Sequence, residues 1–175
     1  MANTFTLIET KSLTSAATNI SFTAIPSTYT DLRLLVTARS SQTGYAQSQF
    51  KIQFNSDTAT NYKRRETYGA GTGSSIGTST GTGEGGILYI YVPAANAGAN
   101  IFGNANIYIP NYAGSTQKSV HILNGQEDNI QTAYLQNIVG LWTGTAAITS
   151  IQLTEQNGQN LTAYSTASLY GIKNS

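Results

Sequence analysis

The chain has 175 residues and a mass of 18.6 kDa, with 39% hydrophobic but only 10% charged residues, a net charge of +1 and no cysteine. This length suits one domain that buries roughly 70% of the surface its unfolded chain would expose, and the hydrophobic content excludes a disordered chain. The near-neutral charge offers no basic field for nucleic acid, the absence of cysteine excludes disulfides and thiol chemistry, and no apolar run approaches the roughly 20 residues of a membrane-spanning helix.

Polarity comes instead from Ser, Thr, Asn and Gln, where an ordinary soluble domain would carry about 25% charged residues. Such a surface is neutral and rich in hydrogen-bonding groups, as in secreted, adhesive and virion proteins. The start, Met1-Ala2-Asn3-Thr4-Phe5, has neither the basic region nor the apolar run of a secretion signal. A protein of this kind acting outside a cell is expected to leave by lysis or inside a particle.

In chain order, period-two patterns dominate. Phe5 and Leu7 share one side of a strand over 4–8, and Ile20 and Phe22 one side of a strand over 19–23. Pro26 and the polar run to Asp31 form a turn. Leu32, Leu34, Val36 and Ala38 then line one face of a long strand, with Arg33, Thr37 and Arg39 on the other. After a polar loop, Phe50, Ile52 and Phe54 point inward and Lys51 and Gln53 outward. Residues 55–61 form a turn. Lys63-Arg64-Arg65 marks the charged edge or outer end of a strand reaching Tyr68, and charge there blocks unwanted pairing between sheets. The segment 69–86 is Gly, Ser and Thr with Ile76 as its one large apolar residue, and reads as a mobile loop.

Residues 87–92 are apolar on both faces: Leu88, Ile90 and Val92 point one way, and Ile87, Tyr89 and Tyr91 the other. Ala105, Ile107 and Ile109 line a strand with Asn106 and Tyr108 opposite, ended by Pro110. Val120 and Ile122 share a face, with His121 and Leu123 behind them. A polar turn over 126–131 precedes a strand over 132–139 that leads to Gly140 and Trp142. The stretch 141–153 anchors the chain. It holds the only tryptophan, Trp142, whose large apolar area makes it the expected centre of the core. After the turn Thr143-Gly144-Thr145, the residues Thr149, Ile151 and Leu153 share a strand face, and Leu169-Tyr170-Gly171-Ile172 closes the fold. About ten short strands with no helical period predict an all-β protein, a single-domain antiparallel β-sandwich over 1–175, jelly-roll-like.

The residues that could carry chemistry are few. The single His121 lies inside a strand pattern, and one histidine does not define a catalytic triad. A zinc site needs several His or Cys ligands. Glu127-Asp128 reads as a pair of solvated turn residues, with a calcium site as the weaker alternative. The Gly-x-Gly patterns in 69–86 lack a following Gly-Lys-Ser/Thr. Lys63, Arg64 and Arg65 form either a solvated strand end or a contact for an acidic partner. Tyr89, Tyr91 and Tyr108 lie on faces opposite aliphatic ones. They are either sandwich filling or an interface, since tyrosine suits wet interfaces and sugar stacking alike. These six residues are the candidate interface, and no catalytic residue, metal site or cofactor is assigned.

Several phrases carry a resemblance. They are Asn19-Ile20-Ser21-Phe22-Thr23 through Ile25-Pro26 to Tyr29-Thr30-Asp31-Leu32-Arg33-Leu34; Phe54-Asn55-Ser56-Asp57-Thr58-Ala59-Thr60-Asn61-Tyr62; Ile107-Tyr108-Ile109-Pro110-Asn111-Tyr112; and Gly140-Leu141-Trp142 with Ile148-Thr149-Ser150-Ile151-Gln152-Leu153 and Leu169-Tyr170-Gly171-Ile172-Lys173. Together they resemble a family of small structural proteins of tailed bacteriophages, of the type found in cyanophages. The resemblance covers nearly the whole chain outside the glycine-rich segment. It implies a jelly-roll-like virion component that is assembled in the host cytoplasm and serves as capsid decoration (cement) protein, head fibre or tail adhesin, with no active-site residues to carry over.

Three functions follow as expectations. The first is a decoration protein, a homotrimer binding the major capsid protein or another virion protein, with no nucleic acid or membrane partner. The second is a fibre adhesin for host-surface carbohydrate, with Trp142 and the tyrosines as stacking platforms. The third, a depolymerase, has the thinnest support from the acid and histidine supply.

Overall fold

A computed structural model describes residues 4–71, 76–130 and 132–173. It is 58% strand with no helix. The strands are β1 Phe5–Ser12, β2 Asn19–Phe22, β3 Asp31–Ala38, β4 Gln47–Phe54, β5 Tyr62–Ala70, β6 Ile76–Glu84, β7 Ile87–Pro93, β8 Gly103–Ile109, β9 Lys118–Glu127, β10 Ala133–Trp142, β11 Ile151–Glu155 and β12 Thr166–Ile172. They form an eight-stranded sheet, β1-β12-β3-β8-β9-β10-β5-β6, facing a four-stranded sheet, β2-β11-β4-β7.

The topology is a long hairpin rolled on itself. β1 pairs with β12, β2 with β11, β3 with β8 and β4 with β7, all antiparallel and nested one inside the next. Rolling brings β12 against β3 and β11 against β4, which closes the two sheets. This is jelly-roll connectivity. Two further hairpins are inserted. β5–β6 lies between β4 and β7, β9–β10 lies between β8 and β11, and the two join edge to edge to widen one sheet to eight strands.

The predicted alternation places the core. Leu34, Val36, Ile52, Ile107, Ile122 and Leu153 meet between the sheets with almost no exposure. Trp142 is buried too, beside Phe54 and Tyr62, with ring centroids 5.7 Å and 6.4 Å away. Its indole N–H donates to Asp57 Oδ2 at 2.7 Å.

The quoted sequence phrases turn out to be joints. Asn55, at φ 52°, accepts from the N–H groups of Thr149 and Ser150 and donates to Ala147 O, fastening the β4 end to the approach to β11. Tyr112 donates its hydroxyl to Pro26 O. Asp31 accepts from the Tyr108 hydroxyl and from Asn111 N–H.

Four expectations are corrected. The segment 69–86 is not a loop in its described part; Ile76–Glu84 is a strand paired with β5. Its Thr78, Thr80 and Thr82 face out, and Gly77, Ser79 and Gly81 face in. A Cβ on Gly77 would stand 2.4 Å from Tyr68 Cζ and one on Gly81 1.9 Å from Glu84 Oε1, so either addition would displace a side chain packed there. Residues 72–75 of that segment lie outside the described residues. Second, β5 is not an edge, because β10 and β6 flank it. Third, Ile87 joins Ile90 and Val92 in the core, while Leu88 is half-buried. Two residues of β7, Leu88 and Tyr89, oppose the single Lys51 of β4, and this bulge resets the parity. Tyr89 carries the bulge at φ 64°. Fourth, Thr149 is exposed ahead of β11 and does not share the buried face of Ile151 and Leu153.

The free edge of β7 is closed by side chains. Tyr91 N–H donates to Asn124 Oδ1 and Gln136 Oε1, both at 3.2 Å. In return Asn124 Nδ2 donates to Tyr91 O at 2.9 Å and Gln136 Nε2 to Tyr89 O at 3.0 Å. Both amides are buried and project from the inner face of β9 and β10. Replacing Gln136 with Met keeps the volume and strands the Tyr89 carbonyl, so Gln136→Met should cost about 1–3 kcal/mol in urea unfolding. An unchanged midpoint would mean that the amide clamp contributes nothing.

Candidate functional site

The register divides the six candidate residues between two environments. Tyr108 and Arg65 lie on the outer face of the eight-stranded sheet, in a row that runs Leu7, Tyr170, Arg33, Tyr108, His121, Val139, Arg65, Thr80. Lys63 stands in the neighbouring row with Leu141 and Thr82. Arg64 points the other way and is buried. Tyr89 and Tyr91 sit on β7, where the extension β10-β5-β6 wraps past the edge of the small sheet. The run Lys63-Arg64-Arg65 is thus not one basic patch, because neighbours on a strand point to opposite faces.

Among the described residues nothing covers the outer face. A second row across it reads Ser168, Leu35, Asn106, Leu123, Asn137, Thr67, Thr78, and a third Thr166, Thr37, Asn104, Gly125, Leu135, Gly69, Ile76. These three rows hold two arginines and a histidine and no carboxylate. Arg33 is fixed by Nε donation to Asn106 Oδ1 at 2.8 Å, and His121 Nε2 lies 2.7 Å from Asn137 Oδ1. Two shallow hollows of about 370 and 430 Å³ meet at Arg65, Thr80 and Val139. The Tyr108 hydroxyl is held by Asp31, which raises its pKa above the ordinary phenol value.

The inner corner is built differently. Arg64 lies between Glu66, at 3.0 Å, and Glu84, at 3.2 Å, with its guanidinium carbon 4.3 Å from the centre of the Tyr89 ring. Burial pushes both carboxyl groups above their usual range, and the pull of Arg64 only partly offsets it. Tyr91 stacks on Tyr134 at 5.1 Å, and Gln47 Nε2 donates to the Tyr134 hydroxyl at 2.9 Å. Desolvation raises the Tyr91 pKa. Residues 62–68 alternate Tyr62, Arg64, Glu66, Tyr68 on this face, a pattern visible in the sequence that the reading of a charged edge obscured. Glu84, Tyr134, Asn124 and Gln136 carried no local signal, since their roles depend on sheet order.

The other candidates resolve simply. Trp142 is core and offers no open ring for a sugar. Asp128 accepts from Ile130 N–H and Thr132 N–H, and Glu127 from Asn129 N–H, so this pair fastens its own turn. Among the described residues no group of three His, Cys, Asp or Glu could hold a metal ion. Comparison with protein-family models and with curated protein sequences finds no match.

The two carboxylate environments have opposite pH signs. Glu66 and Glu84 bind protons more tightly folded than unfolded, so they favour the fold below their ordinary 4.5, and that contribution is lost as pH rises through their folded values. The Trp142 hydrogen bond, then Asn61, holds the Asp57 pKa below 3.8, so its contribution is present above 3.8 and lost as pH falls through the folded value. Stability should therefore decline as pH rises from 4.5 through the raised folded values of the Glu pair. Glu84→Gln should flatten that decline, measured as urea midpoints across the range. Arg64→Met should instead cost about 3–5 kcal/mol near neutrality, because it leaves buried carboxylates without a partner. A neutral Arg64→Met would overturn this account of the corner.

Proposed function

We propose that this chain is a structural protein of a bacteriophage virion, a capsid decoration protein that binds and stabilises the major capsid shell through the outer face of its eight-stranded sheet. The observation that carries the reading is that uncovered face. An antiparallel sheet with one solvated face normally turns polar residues outward. Here Leu35, Leu123, Val139 and Leu135 are 39, 45, 54 and 68% exposed amid Ser, Thr and Asn. Leu123, Leu135 and Val139 are diagonal neighbours across β9 and β10, and exposed apolar side chains grouped on a hydrogen-bonded platform support an interaction site. The sequence resemblance to small phage structural proteins supplies the particle, and the thin supply of titratable groups fits binding better than turnover. Repetition by the symmetry of a shell would multiply modest contacts through avidity.

A carbohydrate-binding fibre adhesin is the second reading, and one feature favours it. A hollow of about 360 Å³ on the small sheet is lined by Gln42, Gln47, Gln49, Asn157, Gln159 and the largely exposed Tyr45. Neutral amides beside an open aromatic ring are suited to sugar hydroxyls and ring faces. Saturable glycan binding that is lost in Tyr45→Ala would replace the decoration reading with this one.

The outer face is tested by Leu123→Glu combined with Val139→Glu. Both side chains are exposed, so the isolated variant should unfold within about 1 kcal/mol of the parent. Its occupancy on stripped particles should fall, and with it the heat resistance that re-added parent protein restores. Binding of the parent should weaken with salt, since Arg33, Lys63 and Arg65 are the charges presented. Undiminished decoration by the double variant would rule out this face.

A further inference from the structure

We infer that β6 is a self-pairing edge: two copies of this chain join antiparallel along residues 76–82 to make one continuous sheet across a two-fold axis. The inference goes beyond the proposed docking face and stands or falls separately from it.

The four sheet edges are not equivalent. β7 is closed by the Asn124 and Gln136 amides. β2 is only four residues long. β1 is disrupted by a register shift between Leu7 and Glu9 and carries the charged pair Glu9–Lys11 at 3.1 Å. Short strands, bulges and charges are the devices that keep edges from pairing with other chains. Over residues 76–82 β6 has none of them, since its one register shift, at Gly83 with φ 67°, lies beyond the residues that pair. It runs nine residues without Pro, Lys or Arg, and its one acid, Glu84, lies at its far end bound to Arg64. Among the described residues its backbone pairs on the β5 side alone.

The occupant follows from the sequence of that edge. Gly77-Thr78-Ser79-Thr80-Gly81 reads the same in both directions. Antiparallel pairing centred on Ser79 sets Thr78 against Thr80, Gly77 against Gly81, and Ser79 against its own copy. Cross-strand threonine pairs are favourable, and here they fall on the outer face. The glycines meet on the inner face, where Tyr68 and Glu84 already fill the space a Cβ would need. No charge opposes a like charge within the paired residues. Arg64 reaches Ser79 on the inner face, donating from Nη1 to its Oγ at 3.3 Å, and is countered there by Glu66 and Glu84. On the outer face the two Arg65 side chains stand on strands three spacings apart, about 14 Å, beyond the Debye length of about 8 Å at physiological salt. Pairing adds roughly six to eight backbone hydrogen bonds. The two-fold axis runs perpendicular to the sheet, so both outer faces lie on the same side. Such an isologous contact closes at two copies, where the reading of the sequence expects three.

The test uses the whole chain. The parent should sediment as a species of twice 18.6 kDa at concentrations on the order of 100 µM, as suits a small interface. Thr78→Lys with Thr80→Lys sets lysine against lysine twice and should weaken dimerisation at least about 10-fold. Thr78→Glu with Thr80→Glu should do the same, and an equimolar mixture of the two variants should restore a one-to-one dimer. Thr78 and Thr80 are exposed, so both variants should melt like the parent. A parent that stays monomeric or forms trimers, a lysine variant that dimerises like the parent, or a mixture that fails to pair would overturn the inference. Should the variants not fold, hydrogen exchange of the parent decides: β6 amides must gain protection with concentration, and concentration-independent exchange overturns it.

Discussion

Backbone groups at a sheet edge must find partners, and in this chain the unpaired edge of β7 governs what surrounds it. Its Tyr91 N–H and the Tyr89 and Tyr91 carbonyls turn toward the inner face of β9 and β10, where each unmade bond would cost about 1–3 kcal/mol, while the Tyr89 N–H donates to Gln156 Oε1 at 3.0 Å. Asn124 and Gln136 answer with amides that both donate and accept. Their position requires β9 and β10 to continue the large sheet past β8. β10 then supplies the edge on which β5 pairs, and β5 the edge for β6. The two inserted hairpins thus build outward from the strands that satisfy one small edge. Gly140 shows how tight that closure is: a Cβ there would sit 2.5 Å from Ile87 Cδ1.

Beyond the clamp the interior turns polar, and charge balance takes over from apolar packing. Arg64 faces two carboxylates, and Glu84 Oε2 is buried without a hydrogen-bond partner. Removing two acids from water for one guanidinium leaves the pair under-compensated, which is why burial outweighs Arg64 in setting their pKa values. Lys118 is a second buried cation, on the far side of Trp142, and carbonyl oxygens of Gly114, Thr116 and Thr145 receive its ammonium. Desolvation lowers its pKa. A chain with so few charges spends several of them inside, and its surface is left to hydroxyls, amides and isolated apolar side chains.

Much of this was legible in the sequence, because period two is a local property. Leu32, Leu34 and Val36, or Phe50, Ile52 and Phe54, announce their buried face without any knowledge of partners, and the spacing of such runs implies a sandwich. The failures have physical causes. In 69–86 the low complexity hid a period of two, Thr78-x-Thr80-x-Thr82 against small residues, because threonine and glycine differ little in hydrophobicity. At Leu88 and Tyr89 a bulge reversed the parity, and a bulge depends on the opposing strand. Arg64 looked like part of a basic triplet, yet alternation alone separates it from Lys63 and Arg65. The amide clamp was not readable, since Asn124 and Gln136 find β7 only through sheet order.

The eight strands of the rolled hairpin would by themselves form two four-stranded sheets of equal width, each largely covering the other. Adding four strands to one sheet changes the balance of surfaces. Among the described residues the extension has an inner face that is only partly covered, by β7, and an outer face without cover. Leu123, Leu135 and Val139, three of the exposed apolar residues on that platform, belong to β9 and β10. Arg65 and Lys63 come from β5, and the unprotected edge from β6. The exposed apolar groups, two of the basic groups and the unprotected edge are thus concentrated in the inserted hairpins, while the rolled hairpin supplies the frame. A division of that kind lets a chain without disulfides and with few charges hold a broad, ordered surface. Its shape is fixed by hydrogen-bonded strands, and its chemistry is set by which side chains the alternation turns outward.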